Sequence, residues 1–562
     1  MADLVASVLA AADAAAAETV AIRYDRRSLG YRELAGRVRA GAESLRRLGL
    51  APGDRVLFTV RPGPDAVVLA LAIVHAGGTV VFADPGAGAA LFAARASLAA
   101  PRWVAAESLL HLASTRPLRR LARSRGLDLP PYASIVPEAR HLHAGPWLPG
   151  TPRGAVGLRA LFAGKAGRGT RPGHAASGRS SQHDDARPAS GAGAWTSGGR
   201  EGDEALVVFT SGTTGTPKAV VHTRGSLGNG LSDFAAGIGL AAGQNVLTDQ
   251  LMVGVPALIA GATWTFPPHG TQPGAPSEAY LDLLDGADVL FTPPATMDAL
   301  LKLLALSPRP GTARVRTISL GGAPVLRPLV ERIHERFPNA AIRTIYGMTE
   351  VLPVAIGDGL AKLATAPAPD GGDEAGTVVP SVRARVEDGE LILSGPGLAR
   401  GYLADLPGNP LTEHRTGDLV RLDGNRLTLL GRKKDMFIRG TQNVYPGLYE
   451  PLVAGLPGVS DAVLTGVPDG IGDDRLVLVV IPEDAPPVGL DAGHPLTATV
   501  AAALPGLMDA GALPDLVLAT DAWPRAGRQQ KLDRRALAAQ VGAWAAQHPG
   551  ALPGDSASEG AP

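Results

Sequence analysis

The stretch LVVFTSGTTGTPKAVVHT, Leu206–Thr223, sets a cluster of hydroxyl side chains with Gly212 and Gly215 between two apolar runs and ends the cluster on Lys218. A Ser/Thr/Gly-rich turn after a β-branched run presents backbone N–H groups and hydroxyls with little side-chain bulk. A chain wraps the oxygens of a polyphosphate in this way, and a lysine at the rim adds a mobile positive charge. A plain hairpin turn seldom needs so many hydroxyls beside a lysine. The spacing excludes a P-loop, which requires Gly, four residues, then Gly-Lys-Ser/Thr; here Gly212, Gly215 and Lys218 fall three apart and Pro217 precedes the lysine.

With 562 residues the chain is too long for one compact core, so two or more domains are expected. Its 53 basic and 53 acidic residues cancel, which gives no reason to expect nucleic acid or an anionic membrane as a partner and favours small molecules. Cysteine is absent, so disulfides, thiolate metal sites and an enzyme-bound thioester are excluded. A thiol in the chemistry has to come from outside. The N-terminus MADLVASVLAAADAAAAETV lacks a basic n-region and reads as a surface helix. The longest apolar run, Ala66 to Val74, stops at His75, well short of the roughly 20 residues needed to span a bilayer. No transmembrane segment and a cytoplasmic location are therefore expected.

From about Thr151 to Asp203 the sequence is dominated by Gly, Ala, Ser, Arg and Pro, a composition that buries too little surface to offset ordering entropy. A disordered insertion is expected there. Elsewhere β-branched runs such as DRVLFTV, GGTVVFAD, ALVVFT and ATWTF alternate with helical segments such as YRELAGRVRAGAESLRRLG. That alternation predicts an α/β architecture with largely parallel sheets.

Downstream, RTISLGGAPV (Arg316–Val325) and IRTIYGMTEVLPVA (Ile342–Ala355) are β runs that break into Gly-containing turns, the kind of strand end that builds ligand clefts in α/β sheets. They are followed by HRTGDLVRLDGNRLTLLGRKKDMFIRGTQNVYPGLYE and, near the end, WPRAGRQQKLDRRAL. In this order and spacing the segments resemble the core motifs of the adenylate-forming superfamily: acyl-CoA synthetases, luciferases and the adenylation domains of peptide synthetases. The resemblance runs from Tyr24 through Leu537, interrupted by the insertion. It implies a large N-terminal domain of mostly parallel sheets flanked by helices with a β-barrel-like subdomain, and a small mobile α+β C-terminal domain. The boundaries are placed at 1–150 and 204–433 for the large domain, 151–203 for the insertion, 434–542 for the small domain and 543–562 for a disordered tail.

The resemblance also implies the chemistry: a carboxylate attacks the α-phosphate of ATP to give an acyl-adenylate and pyrophosphate, and a nucleophile such as coenzyme A then takes the acyl group. Both reactants of the first step are anionic, so the site has to neutralise charge and align them. By resemblance, Thr210, Ser211, Gly212, Thr213, Thr214, Gly215 and Lys218 hold the β- and γ-phosphates. Glu350 matches the magnesium carboxylate, a hard oxygen ligand, with Thr349 near the α-phosphate. Tyr346, followed by Gly347, covers one face of the adenine and the Gly322-Ala323-Pro324 turn the other. Asp418 accepts hydrogen bonds from the ribose hydroxyls, and Arg432 is a second ribose or phosphate contact. Lys434 falls on the hinge about which the small domain rotates, and Lys531 is the lysine that enters the site for adenylation only.

Three positions depart from the family pattern. Ala219 replaces a glycine after Pro217-Lys218, Gln530 stands where a glycine precedes the lysine, and Thr441 replaces the second glycine of a turn bordering the thiol tunnel. TDQLMVGVPALIAG carries neither the aromatic nor the His gate seen in many relatives. The stretches HAGGTVVFADPGAG, LGGAPV and YGMTEVLPVA are similar to β-lactone synthetases of olefin biosynthesis, whereas GRKKDMFIRGTQNVYPGLYEP is more like acyl-CoA ligases. The reading is a fatty-acid or related hydrophobic-acid CoA ligase using ATP, Mg²⁺ and coenzyme A. The alternatives are a β-lactone synthetase, an acyl-AMP ligase loading a carrier protein, an amino-acid adenylating domain and a nucleotide-binding protein without catalysis.

Overall fold

The computed structural model describes residues 3–25, 27–83, 89–116, 118–120, 130, 132, 135–136, 138–164, 199–210, 218–268, 277–323, 325–365, 372–433, 437–439, 442–444, 446–468, 474–484, 486–508, 512–526 and 531–552. The chain forms two compact units. One comprises residues up to Ser232 with Leu258–Thr263 and Ala399–Leu411; the other comprises Asp233–Ala257, Trp264–Leu398 and Thr412 onward.

In the first unit the β-branched runs become parallel strands. Glu204–Thr210, Thr79–Phe82, Arg55–Thr59, Trp103–Glu107, Arg140–Ala144 and Val156–Gly157 lie side by side in that order, and Lys218–Thr223 joins Glu204–Thr210 antiparallel. Such strands are buried on both faces and so read as continuous apolar runs. Leu57, Val81, Val104 and Val207 meet in the core. The run Ala66 to Val74 lies in the helix Pro64–Ala76, most of it buried, and ends where Gly77 takes a left-handed φ of 96° and its N–H turns back to the Ile73 and Val74 carbonyls. It is a core helix, and among the described residues no helix is long and apolar enough to cross a membrane.

The start of the expected insertion is ordered. Val156–Gly157 pairs with Leu142 and His143, and the helix Leu158–Phe162 buries Leu158, Leu161 and Phe162. The average composition of 151–203 masks this short apolar cluster; residues 165–198 lie outside the described residues. The boundary of the expected tail shifts in the same way, because the helix Arg534–Gln547 continues past 543 and Leu552 is buried against its cluster.

In the second unit the sheet order runs from Arg383–Glu387 through Glu390–Ser394, His414–Asp423, Arg426–Arg432, Asp373–Val378, Val351–Asp358, Ala341–Met348 and Thr317–Gly321 to Val289–Thr292 and Asn245–Leu247. Pairing is antiparallel as far as Ala341–Met348 and parallel from there to Asn245–Leu247. The expected barrel-like part is thus an antiparallel extension of the same sheet, and among the described residues it does not close on itself. At the other end of this sheet, on the strand next to Asn245–Leu247, Trp264 is fully buried and stacks on Phe266, with its indole N–H donated to the Thr248 carbonyl at 3.0 Å. A side chain at Gly254 would meet the indole at 1.9 Å, so glycine is required there. The unit's C-terminal part has its own three-stranded sheet, Val459–Pro468, Asp474–Pro482 and Leu516–Ala519, packed by Pro446–Ala454, Pro495–Ala503 and Arg534–Gln547.

The N-terminal helix Leu4–Ala14 is tied to the first unit by an ion pair. Asp3 caps the helix through Ala6 N–H, and both its oxygens accept from Arg224, at 2.5 and 2.8 Å. The Arg224 side chain is 3% exposed, and it also donates to the Val74 carbonyl. Burial opposes the charged carboxyl, but the Arg224 and backbone hydrogen bonds outweigh it and hold Asp3 below its ordinary 3.8. A depressed carboxylate contributes stability above its unfolded value and loses it as pH falls through the folded one. Arg224→Ala should therefore cost about 2–4 kcal/mol at pH 7, the order expected when one partner of a largely buried pair is removed. Denaturant titrations of both proteins at pH 7 and pH 3 check this: the difference is expected to shrink at the lower pH.

Candidate active site

In the first unit the hydroxyl-rich loop is the connection of a β-hairpin. Thr210 and Lys218 are paired across its two strands, so the loop leaves and re-enters the sheet at one point. Residues Ser211, Gly212, Thr213, Thr214, Gly215 and Pro217 lie outside the described residues. Lys218 is exposed, and its ammonium stands over the Tyr402 ring, 5.4 Å from the centroid. Tyr402 gets there because the short strand Gly401–Tyr402 pairs with Val220 and Val221. An ammonium over an aromatic face is attracted by the ring quadrupole and restricted in its reach. Sequence reading missed Tyr402, which stands far from Lys218 in the chain; its only local signal is an aromatic after a glycine.

In the second unit the parallel strands Thr317–Gly321 and Ala341–Met348 run in register, with Gly321 opposite Ile345, so their C-terminal ends lie together. Strand ends of this kind are where open α/β sheets bind ligands. The first strand breaks at Gly322, whose φ of 86° suits glycine, and Gly322 and Ala323 are both exposed. Pro324 lies outside the described residues. The second strand presents Tyr346 and then turns back: Met348 pairs with Val351, which leaves Thr349 and Glu350, both half-buried, as the two residues of the turn. A side chain at Gly347 would press on the end of the Leu352 side chain at 2.8 Å.

Tyr346 and Asp418 are brought into direct contact. The Tyr346 hydroxyl donates to Asp418 Oδ2 at 2.5 Å. Asp418 is 3% exposed and follows Gly417, whose φ is 72°. Its own N–H is donated to the Thr416 hydroxyl at 3.0 Å, which in turn donates to the Leu391 carbonyl. The backbone of Arg432 is paired with that of Asp418. Lys434 lies outside the described residues. A flat ring and a fixed carboxylate are thus in contact, with a glycine turn at the end of the next strand.

Lys531 is carried by a different sheet. It is exposed on a short hairpin, paired with Ala526, and the hairpin is closed by Asp533 N–H to the Pro524 carbonyl at 2.8 Å. The base of the hairpin is held at Trp523, whose indole N–H donates to Asp461 at 2.6 Å. Burial pushes the Asp461 carboxyl up although Trp523 and Ala462 N–H both donate to it. Arg534, one residue past Asp533, is paired with Glu450 through both guanidinium nitrogens.

The chain matches the family model of the AMP-binding enzymes over residues 9–403. It is 29% identical over 364 residues to the indoleacetate–CoA ligase of Aromatoleum aromaticum, covering 60% of this chain and 67% of that protein. It is 27% identical over 551 residues to the salicyl-AMP ligase / salicyl-S-ArCP synthetase of Mycobacterium tuberculosis, covering 92% and 86%. Several further relatives are matched over only 48–60% of their own length. The amide bond synthetase McbA of Marinactinospora thermotolerans superposes with a TM-score of 0.72 at 20% identity, covering 96% of this chain and 99% of that one, a likeness of fold. Fold and family match together define an adenylate-forming enzyme, an AMP-forming acid–thiol ligase. The chain belongs to the AMP-binding enzyme family.

The Tyr346–Asp418 contact yields a first test. Tyr346→Phe keeps the ring and removes the donor that fixes the carboxylate. The KM for ATP is expected to rise about tenfold, the order of a hydrogen bond to a charged group, with a smaller change in kcat. Steady-state kinetics of pyrophosphate release would check it; equal loss in both constants, or none, would remove the hydroxyl from this role.

Proposed function

We propose that the protein activates a hydrophobic carboxylic acid, most simply a fatty acid, as its acyl-adenylate and transfers the acyl group to coenzyme A. The observation that supports this reading is the buried Asp418 carboxylate held by the Tyr346 hydroxyl at 2.5 Å, with Tyr346 at the end of the strand that runs parallel to Thr317–Gly321. The named activities of the relatives support the acid-activating half: indoleacetate–CoA ligase passes its acid to CoA, and the salicyl-AMP ligase loads a carrier. Because the match to the second spans 92% of this chain, loading of a carrier protein is the second reading.

In the first half-reaction a carboxylate oxygen of the acid attacks the α-phosphorus of ATP. The bond from that phosphorus to the bridging oxygen breaks, and pyrophosphate leaves. Tyr346 and the Gly322 turn position the base, Asp418 with Arg432 positions the ribose, and the hairpin loop Thr210–Lys218 holds the outer phosphates. Thr349, beside Glu350 in the same turn, would lie near the α-phosphate. Glu350 offers one half-buried carboxylate at a two-residue turn, a hard oxygen donor of the kind that Mg²⁺ takes when nucleotide phosphates supply further ligands. Bound there, the ion would supply charge neutralisation between the phosphates. Lys531 brings an ammonium to the developing charge in this step only.

In the second half-reaction the thiol of coenzyme A loses its proton and attacks the acyl carbonyl. The bond to the AMP oxygen breaks, and AMP leaves with that oxygen. We propose that the segment beyond Lys434 rotates about this residue between the two steps, withdrawing Lys531 and admitting the thiol. The proposed location is the cytoplasm.

Two tests follow. Glu350→Gln should weaken magnesium-dependent adenylation far more than nucleotide binding measured without metal, and unchanged magnesium dependence would remove Glu350 from the site. Lys531→Ala should lose several orders of magnitude in adenylate formation, as expected when a preorganised charge contact worth roughly 3–5 kcal/mol is removed. The same variant should convert a supplied acyl-adenylate and CoA at close to the normal rate. Lys434→Pro should show the reverse, because a fixed φ hinders rotation. Equal loss in both half-reactions for Lys531→Ala would sink the rotation scheme. Release of a lactone from a β-hydroxy acid without CoA would move the function to the β-lactone synthetases.

A further inference from the structure

Glu390 is 6% exposed, yet it begins a strand, Glu390–Ser394, that continues a surface hairpin. A carboxylate so placed is costly unless it is paired and hydrogen-bonded. Its oxygens are divided between two parts of the proposed site. Oε1 accepts the backbone N–H of Gly417 at 3.0 Å, the residue whose left-handed turn sets Asp418 in place. Oε2 accepts from Arg415 at 3.3 Å and stands 3.6 Å from the ammonium of Lys433. Arg415 is held in turn by Glu387 at 3.0 Å.

Two links therefore run from this carboxylate. Through Gly417 N–H, and in parallel through Leu391 O and the Thr416 hydroxyl, the strand Glu390–Ser394 pins the turn that presents Asp418. Through Lys433 it reaches the residue directly before Lys434, where the proposed rotation begins. Burial works against the charged form, but Gly417 N–H, Arg415 and Lys433 outweigh it and hold the carboxyl below its usual range, so both links persist at neutral pH.

We infer that Glu390 is a positioning residue for both halves of the reaction: it fixes the turn that holds the ribose carboxylate, and it restrains the start of the rotating junction through Lys433. This inference rests on the acyl-adenylate reading above. The two links call for different chemistry from the same side chain. Holding Gly417 needs only an acceptor oxygen, which an amide supplies. Holding Lys433 needs the charge.

The experiment uses the full-length protein and the variants Glu390→Gln, Glu390→Ala, Lys433→Ala and the double variant Glu390→Gln with Lys433→Ala. AMP affinity is measured by calorimetry, and adenylate formation and thioester formation from supplied acyl-adenylate are measured separately. Glu390→Ala is expected to weaken AMP binding about tenfold or more, because the Gly417 N–H loses its acceptor. Glu390→Gln should stay within about threefold of the wild type, since an amide oxygen still serves the neutral hydrogen bond. A purely structural role would lower the melting temperature of both without this split.

Glu390→Gln and Lys433→Ala are each expected to change the ratio of the two half-reaction rates at least about threefold and in the same direction, and the double variant to add nothing further, as for two ends of one interaction. Wild-type AMP affinity in Glu390→Ala would overturn the first link. Unchanged ratios, or ratios that multiply in the double variant, would overturn the second. If the wild type binds AMP but adenylates no acid, the proposed function fails while the AMP measurements still decide the role of Glu390.

Discussion

The second unit is organised around a carboxylate that water scarcely reaches. Asp418 is 3% exposed, and a buried anion of this kind destabilises a fold unless donors are built to meet it. One donor that meets it is the Tyr346 hydroxyl, which comes from a strand three intervening strands away in the same sheet order. The Gly417 turn, the Thr416 hydroxyl bridge and the buried Glu390 all fix the backbone that carries it. The sheet itself brings these groups together: its parallel part delivers Tyr346 and the Gly322 turn, and its antiparallel extension delivers Asp418. Sites built on strands hold their geometry better than sites on loops alone.

Much of this was legible in the sequence because single local patterns encode it. A β run ending in glycine predicts a strand end that turns over a ligand, and the runs ending at Gly322 and at Tyr346-Gly347 do end together. The hairpin around the hydroxyl-rich loop follows from two apolar runs flanking a turn. What was not legible depends on long-range pairing. Tyr402 reaches Lys218 only because a two-residue strand adds to the sheet edge, and two residues give no periodicity to read. Glu390 looks like a solvated residue of an alternating surface strand, and only the fold shows it buried under the Gly417 turn. Composition misjudged the ends of the insertion and the tail because it averages over windows. Leu158, Leu161 and Phe162 are enough to anchor one turn of helix inside a Gly/Arg-rich stretch, and Leu552 anchors the end of another.

The two kinds of constraint also separate what the family shares from what is particular to this chain. The fold is kept with a solved amide bond synthetase at 20% identity, a level at which the scaffold persists while the chemistry can differ. The parts proposed to hold the nucleotide are set by backbone turns and by one hydrogen-bonded carboxylate. The relatives named for indoleacetate and for salicylate show that similar chains act on different acids.

The central claim is that the acid's own oxygen bonds to the α-phosphorus of ATP. Transfer of an oxygen label tests it most directly: the acid is supplied with ¹⁸O in its carboxyl group, the enzyme is turned over with ATP and CoA, and AMP is analysed by mass spectrometry. The account predicts one ¹⁸O in each AMP and none in pyrophosphate. Unlabelled AMP, or ADP formed with the label in inorganic phosphate, would contradict it.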